Sequence, residues 1–223
     1  MEQSLKILCI ADIHGDAAAA KNAARFAQEN KIGRIIVAGD FCVYGIGDGE
    51  RLVQAKEMLE VLGHVLAIPG NCDCRNLVEF LDESGMNLHR KVMNLGGMDF
   101  AGFGGSSPTP FNSPIVFSEE EIYKNLRQLM ETAGKGAIMI CHVPPYGTKC
   151  DKTNFGTHVG STSLRRIIEE YKPTLCVSSH VHECGGATDE IGETKIVNIG
   201  KLSEGRAIII NAPDGSFEKV NIN

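Results

Sequence analysis

The chain has 223 residues, 43% apolar and 22% charged, which suits one domain over residues 1–223 with a sizeable core. Its net charge of −6 argues against a nucleic-acid polymer as the main partner, because phosphate neutralisation needs a basic face. A small phosphorylated substrate stays open, since bound cations would invert the local potential, and no apolar stretch reaches transmembrane length, so no membrane partner is expected.

Residues 6–11 read as a buried strand, followed by a helix over AAAAKNAARFAQEN that Asp16 can cap. A second strand is predicted over 34–38. A Gly-rich stretch around 45–49 then reads as a flexible rim, because it lacks the strand-to-helix setting of a nucleotide loop. ERLVQAKEMLEVLG has helical periodicity, residues 64–68 form a third strand, and Arg75 to Ser84 a short helix. Such alternation implies parallel strands with right-handed crossovers. HRKVMNLGGMDFAGFGG reads as a hairpin turning at Gly96-Gly97, and SSPTPFNSPIVF as a surface loop. Ser118 and Glu121 make a capping box that opens a helix to about Thr132. A strand follows at 137–141, then a long loop over 144–160, of the kind that is often functional. Ser161 can cap the helix TSLRRIIEEY, which Lys172-Pro173 ends, and a strand follows at 174–178. TKIVNIG and RAIIINAPDGSFEKVNIN read as antiparallel strands with a turn at Asp214-Gly215. The expected architecture is a mixed α/β sheet system flanked by helices.

The eight cysteines sit mostly inside or beside apolar runs and read as reduced core residues of a cytoplasmic protein. Cys72 and Cys74 have only a C-x-C spacing with no second pair to answer it, a weak zinc signal. The N-terminal apolar run leads straight into Asp12 and His14, so it is not read as a cleaved signal peptide.

The apolar runs share one feature. Each ends in a side chain able to bind a metal: Asp12 and His14, Asp40, Asn71, His142, then His180 and His182. Ligands of open α/β sheets gather outside the carboxyl ends of the strands, so these donors are expected to meet along one edge. Imidazoles, carboxylates and one amide oxygen suit hard or borderline divalent cations. A lone His or Asp at a strand end is more often a cap, so the set carries weight only collectively. Asp16 fits that plainer role as a helix cap, Asp73 reads as a turn residue or a partner of a ligand, and His64 and His89 as ordinary histidines.

DIH at 12–14, GD at 39–40, GNCD at 70–73, His142 and HVH at 180–182 resemble the calcineurin-like metallophosphoesterase superfamily. The later stretch is similar to phosphoesterases related to the class III cyclic-nucleotide phosphodiesterases. The resemblance implies a four-layer αββα sandwich with two metals at its rim. Asp12, His14 and His182 would hold the first, Asn71, His142 and His180 the second, and Asp40 would bridge both. Manganese leads among the metals implied, with iron, zinc, nickel or cobalt also suited to these ligands. A hydroxide shared by the metals would attack phosphorus in line with the leaving oxygen. Many members carry histidine after the asparagine as the proton donor to the leaving group; here that position is Cys72, and a thiol is a poor substitute. Diesters and aryl esters, cyclic nucleotides among them, are therefore favoured as substrates. His158 is the next candidate for the proton donor or a phosphate contact, ahead of Lys152. The alternatives are a phosphomonoesterase or protein phosphatase on the same site, and a catalytically idle protein-binding scaffold. Substrate selection is expected in loops 41–50, 104–117 and 144–160, and a homo-oligomer is compatible with the sequence.

Overall fold

Period-two alternation sets the layers. In β1 (Leu5–Ile10), Ile7 and Cys9 face one way and Leu8 and Ile10 the other, and all four are buried. A strand apolar on both faces needs cover on both, and the chain supplies it. The structure is a computed structural model, and it describes residues 5–212 and 214–222.

The other strands are β2 (Arg34–Ala38), β3 (Val65–Ile68), β4 (Lys91–Leu95), β5 (Met98–Phe103), β6 (Ile138–Cys141), β7 (Leu175–Ser178), β8 (Thr188–Ile191), β9 (Thr194–Asn198), β10 (Arg206–Ala212) and β11 (Ser216–Asn221). The helices are α1 (Ala17–Glu29), α2 (Asp48–Leu62), α3 (Asn76–Glu83), α4 (Glu119–Thr132) and α5 (Thr162–Tyr171). One sheet has the order β11-β10-β1-β2-β3 and the other β4-β5-β6-β7-β9-β8. Within them, β1, β2 and β3 run parallel, as do β5, β6, β7 and β9. Ile7, Ile36 and Leu66 of the first sheet pack against Phe100, Ile138 and Val177 of the second. Helices α1 to α3 cover the outer face of the first sheet, and α4 and α5 that of the second. This is the expected four-layer αββα sandwich, and every parallel strand directs its carboxyl end to one edge.

Local chemistry sets the boundaries. The Asp16 carboxylate accepts from the N–H of Ala18 and Ala19 and starts α1. Ser118 and Glu121 cap α4 reciprocally. Gly96 and Gly97 turn the β4–β5 hairpin with φ of 58° and 88°, a pair of left-handed residues that glycine adopts without strain.

Four sequence expectations change. Helix α2 starts at Asp48, so part of the glycine-rich stretch is helical rather than a loose rim; the Glu50 carboxylate accepts the Gly47 N–H at its start. Strand β8 was not expected. TKIVNIG does not join the C-terminal hairpin: it becomes β9, parallel to β7 in the second sheet. The segment 106–117 is not simply a surface loop, because Ser106, Ser107, Ile115 and Phe117 are buried. Ser106 and Phe117 tie that loop back on itself, the Phe117 N–H donating to Ser106 O at 2.9 Å.

Candidate metal centre

The donors named from the sequence do converge. Asp12 and His14 follow β1, Asp40 follows β2, Asn71 follows β3, His142 follows β6, and His180 and His182 follow β7. Bringing the loops this close takes glycine. A Cβ on Gly39 would stand 2.7 Å from Gly70 Cα and from His142 Nδ1, and one on Gly70 would collide with Asp40. The GD and GN pairs are therefore a steric requirement of the site. Asp12, His14, Asp40 and His180 all adopt left-handed φ, at 49°, 46°, 55° and 66°. Non-glycine residues rarely do so, and strain of this kind collects at functional sites.

Ligand atoms about 2.1 Å from a common cation lie roughly 3.0–3.4 Å apart at octahedral to tetrahedral angles. His182 Nε2 is 3.3 Å from Asp12 Oδ2 and 3.2 Å from His14 Nε2. His142 Nε2 is 3.0 Å from Asn71 Oδ1 and 3.4 Å from Asp40 Oδ2. The two sets share no atom. Between them stands Asp40 Oδ2, also 3.8 Å from His14 Nε2. His180 completes the cluster, its ring 5.1 Å from that of His142.

The protonation pattern shows why these atoms suit a cation. His14 Nδ1–H donates to Cys42 O at 2.9 Å and His142 Nδ1–H to Ala38 O at 2.8 Å. In each neutral ring the Nε2 lone pair then faces the cluster. Around His142 Nε2 the neighbours are oxygen acceptors, and among the described residues Asp12 Oδ1 is buried with no hydrogen-bond partner. Lone pairs aimed at lone pairs in a buried site are costly unless a positive charge sits among them. Without metal, a proton fills part of that role: burial pulls His142 down, but the Asp40 charge and hydrogen bond lift it to about 9. Burial likewise raises Asp40, yet His142 and His14 hold it well below the usual carboxylate range. His180 is lowered to about 4, by burial and then by His142. The residues fit a metal pair.

Several supports were not legible beforehand. Ser179 Oγ–H donates to Asp12 Oδ2 at 2.5 Å, and Asn71 Nδ2 donates to Ser113 Oγ at 2.9 Å, turning Oδ1 towards the cluster. Asp73, expected as a turn residue or a ligand's partner, is the latter. Its buried carboxylate accepts the N–H groups of Asp40, Phe41, Cys42 and Gly70 and so fixes the Asp40 loop against the Asn71 loop. Burial and the Asp40 charge raise it to about 6, against the pull of the Gly70 N–H.

Cys72 lies at the cluster: its Sγ is within 4.8 Å of a ligand atom of His14 and of Asp40, and its N–H donates to Asp40 Oδ1 at 2.9 Å. Burial, then the Asp40 charge, pushes the thiol far up. Cys74 instead packs in the core under α2 and α3, which leaves no Cys72–Cys74 zinc pair among the described residues. His158 is tied to Asp151, Nδ1 to Oδ1 at 2.7 Å, and among the described residues its hydrogen-bond and ring partners, Asp151 and Tyr146, lie outside the cluster. Lys152 is exposed, its backbone anchored to Cys184 Sγ. His64 is exposed and His89 is buried.

Residues 5–184 match the family model of the calcineurin-like phosphoesterases, and the chain belongs to that family. It is 35% identical over 205 residues to an uncharacterized protein of Methanocaldococcus jannaschii, covering 89% of each chain. A crystal structure from Thermus thermophilus aligns with a TM-score of 0.73 at 19% identity, over 99% of this chain and 100% of that one. A dimetal phosphatase from Danio rerio aligns at 0.63 with 9% identity, over 98% and 99%. At such identities these structures bear on the fold, which they share. The chain is thus a metallophosphoesterase-family hydrolase with clustered Asp and His side chains able to bind metal. No helix among the described residues is long and apolar enough to cross a membrane.

Proposed function

We propose that the chain hydrolyses small phosphodiesters with two metal ions, manganese first among them, held by Asp12, His14 and His182, by Asn71, His142 and His180, and by Asp40 between. The observation that carries this reading is the pair of triads of potential ligand atoms at ligand spacing, with Asp12 Oδ1 left without a partner among the described residues. When bound, such a pair supplies Lewis acidity at phosphate oxygens and an activated water. The chain's own residues set the rest. Cys42 O and Ala38 O fix the tautomers of His14 and His142, and Ser113 and Asp73 hold Asn71 and Asp40 in place.

Diesters are favoured for two reasons. Cys72 stands where an imidazole would protonate a leaving oxygen, and its raised pKa makes it a weaker acid still. Esters whose leaving group needs no proton are the better match. The loops that follow the strands also carry exposed aromatic side chains. Tyr44, Phe111, Tyr146, Phe155 and Val159 are exposed and all lie in loops 41–50, 104–117 and 144–160, whereas Val53 on α2 is the one other exposed large apolar side chain among the described residues. Tyr44 and Phe111 meet edge to face, with ring centroids 6.2 Å apart. Exposed rings of this kind suit an aryl or nucleoside group, a cyclic nucleotide included. His158, oriented by the buried Asp151, is the group proposed to contact phosphate or to donate a proton from the third loop.

Metal analysis combined with hydrolysis of an aryl phosphodiester in added Mn²⁺ tests the reading. It predicts two ions per chain and turnover that EDTA abolishes. A metal-free, inactive but folded chain would instead favour the protein-binding scaffold.

A further inference from the structure

A second polar cavity, separate from the metal centre, shows the reverse imbalance of hydrogen-bonding groups. It is a cleft of ≈ 460 Å³ between α3 and the loop that leads into β4. His89 lines it and is only 6% exposed. The ring is flanked by Phe103 and Phe117, at centroid distances of 5.3 and 6.1 Å. Its Nδ1 accepts the Gly104 N–H at 2.8 Å, so that nitrogen carries no hydrogen. Burial, then the Arg90 charge, lowers the ring to about 3, so it is neutral and its one N–H is at Nε2. No side chain or carbonyl among the described residues accepts that N–H.

The rim is cationic. Arg75, Arg90 and Lys91 line the same cleft and are exposed, and the Arg90 guanidinium lies 5.1 Å over the Phe117 ring. Asp82 lines the cleft as well, and Glu121 lies within reach of the Arg90 and Arg75 charges. Asp82 pairs with Lys91 Nζ at 2.5 Å, and Glu121 accepts from the Ser118 N–H and hydroxyl. Among the described residues neither guanidinium forms an ion pair, and the His89 Nε2–H has no acceptor.

We propose that this cleft binds a phosphate-class oxyanion, with one oxygen accepting the His89 Nε2–H and the others facing Arg75 and Arg90. Donors on several sides suit a tetrahedral oxyanion better than a planar carboxylate. The cavity exceeds a bare phosphate, leaving room for a small organic group on it. The cleft shares no residue with the metal cluster, but a short path joins them: Ile115 lines the cleft and its N–H donates to Asn71 O at 3.4 Å. An occupant is therefore placed to steady the Asn71 loop from behind.

The test is a phosphate titration of the full-length, zinc-loaded protein followed by ¹H–¹⁵N NMR. The proposal predicts saturable shifts of the His89 ring N–H and of the Gly104 and Ile115 amides. The R75E/R90E double variant, altered only at exposed positions, should weaken that binding by about tenfold or more while responses around Cys72 persist. Phenylphosphonate binding tighter than phosphate would mark an organic phosphate as the ligand, and the reverse order inorganic phosphate. Shifts confined to the metal loops, an equal response in the double variant, or the same His89 shift from chloride at matched ionic strength would each overturn the proposal.

Discussion

Two buried carboxylates show what separates a structural acid from a candidate metal ligand. In loop 144–160, Asp151 is fully buried and saturated: it accepts the N–H groups of Gly147, Thr148 and Gly160 and pairs with His158. At the strand ends, Asp12 is equally buried, yet among the described residues Oδ1 has no partner, and Oδ2, which accepts from Ser179, also faces the His182 nitrogen at 3.3 Å. The same chain can satisfy a buried carboxylate completely with its own donors. Where it does not, and where lone pairs of His142, Asn71 and Asp40 crowd within 3.4 Å, the cluster is suited to a cation as partner.

The widest gap between the two regions should appear on substitution. Asp40→Asn is expected to lower aryl phosphodiester hydrolysis by about 10³-fold or more and to deplete bound metal, while the melting temperature of the EDTA-treated protein holds or rises. Asp151→Ala should do the opposite. It is expected to cost about 2–4 kcal/mol in denaturant unfolding, with or without metal, and to leave metal stoichiometry intact. Equal losses of metal in both variants would erase the distinction.

Supporting hydroxyls should give smaller effects. Ser113→Ala and Ser179→Ala are expected to weaken metal affinity about 10–100-fold in competition with a chelator, without loss of fold. The metal-free chain should also show the His142 proton in its stability. A group raised from 6.5 to about 9 stabilises fully below its unfolded value and loses that contribution as pH climbs through the folded one. Denaturant midpoints of the stripped protein should therefore fall between about pH 6.5 and 9, and the His142→Gln variant should lack this phase. The smallest expected change is a gain: Cys72→His should raise turnover of esters with poor leaving groups several-fold. No gain there would remove the account of substrate preference.

The clustered donors were legible in the sequence because two signals coincide at them, an apolar run that ends and a side chain able to bind metal. The sandwich was legible because both faces of β1, β2 and β6 are apolar. What escaped had no such double signature. β8 reads TDEI, an edge strand with charged residues and no apolar period. Ser179 and Ser113 are ordinary hydroxyls whose partners lie 167 and 42 residues away. Asp151 closes its loop through backbone N–H groups that any residue carries. Proline and serine in SSPTPFNSPIVF hid the core role of Ile115 and Phe117, because composition speaks for exposure while burial of this loop is decided by the site it folds over.

Titration calorimetry of the EDTA-stripped, full-length chain with Mn²⁺ reaches the central claim most directly. Saturable binding of two ions per chain, reduced in Asp40→Asn and accompanied by proton release that grows below pH 9, is the predicted result. A folded protein that takes up no Mn²⁺, Zn²⁺ or Fe²⁺, or that binds them equally well without Asp40, would contradict it.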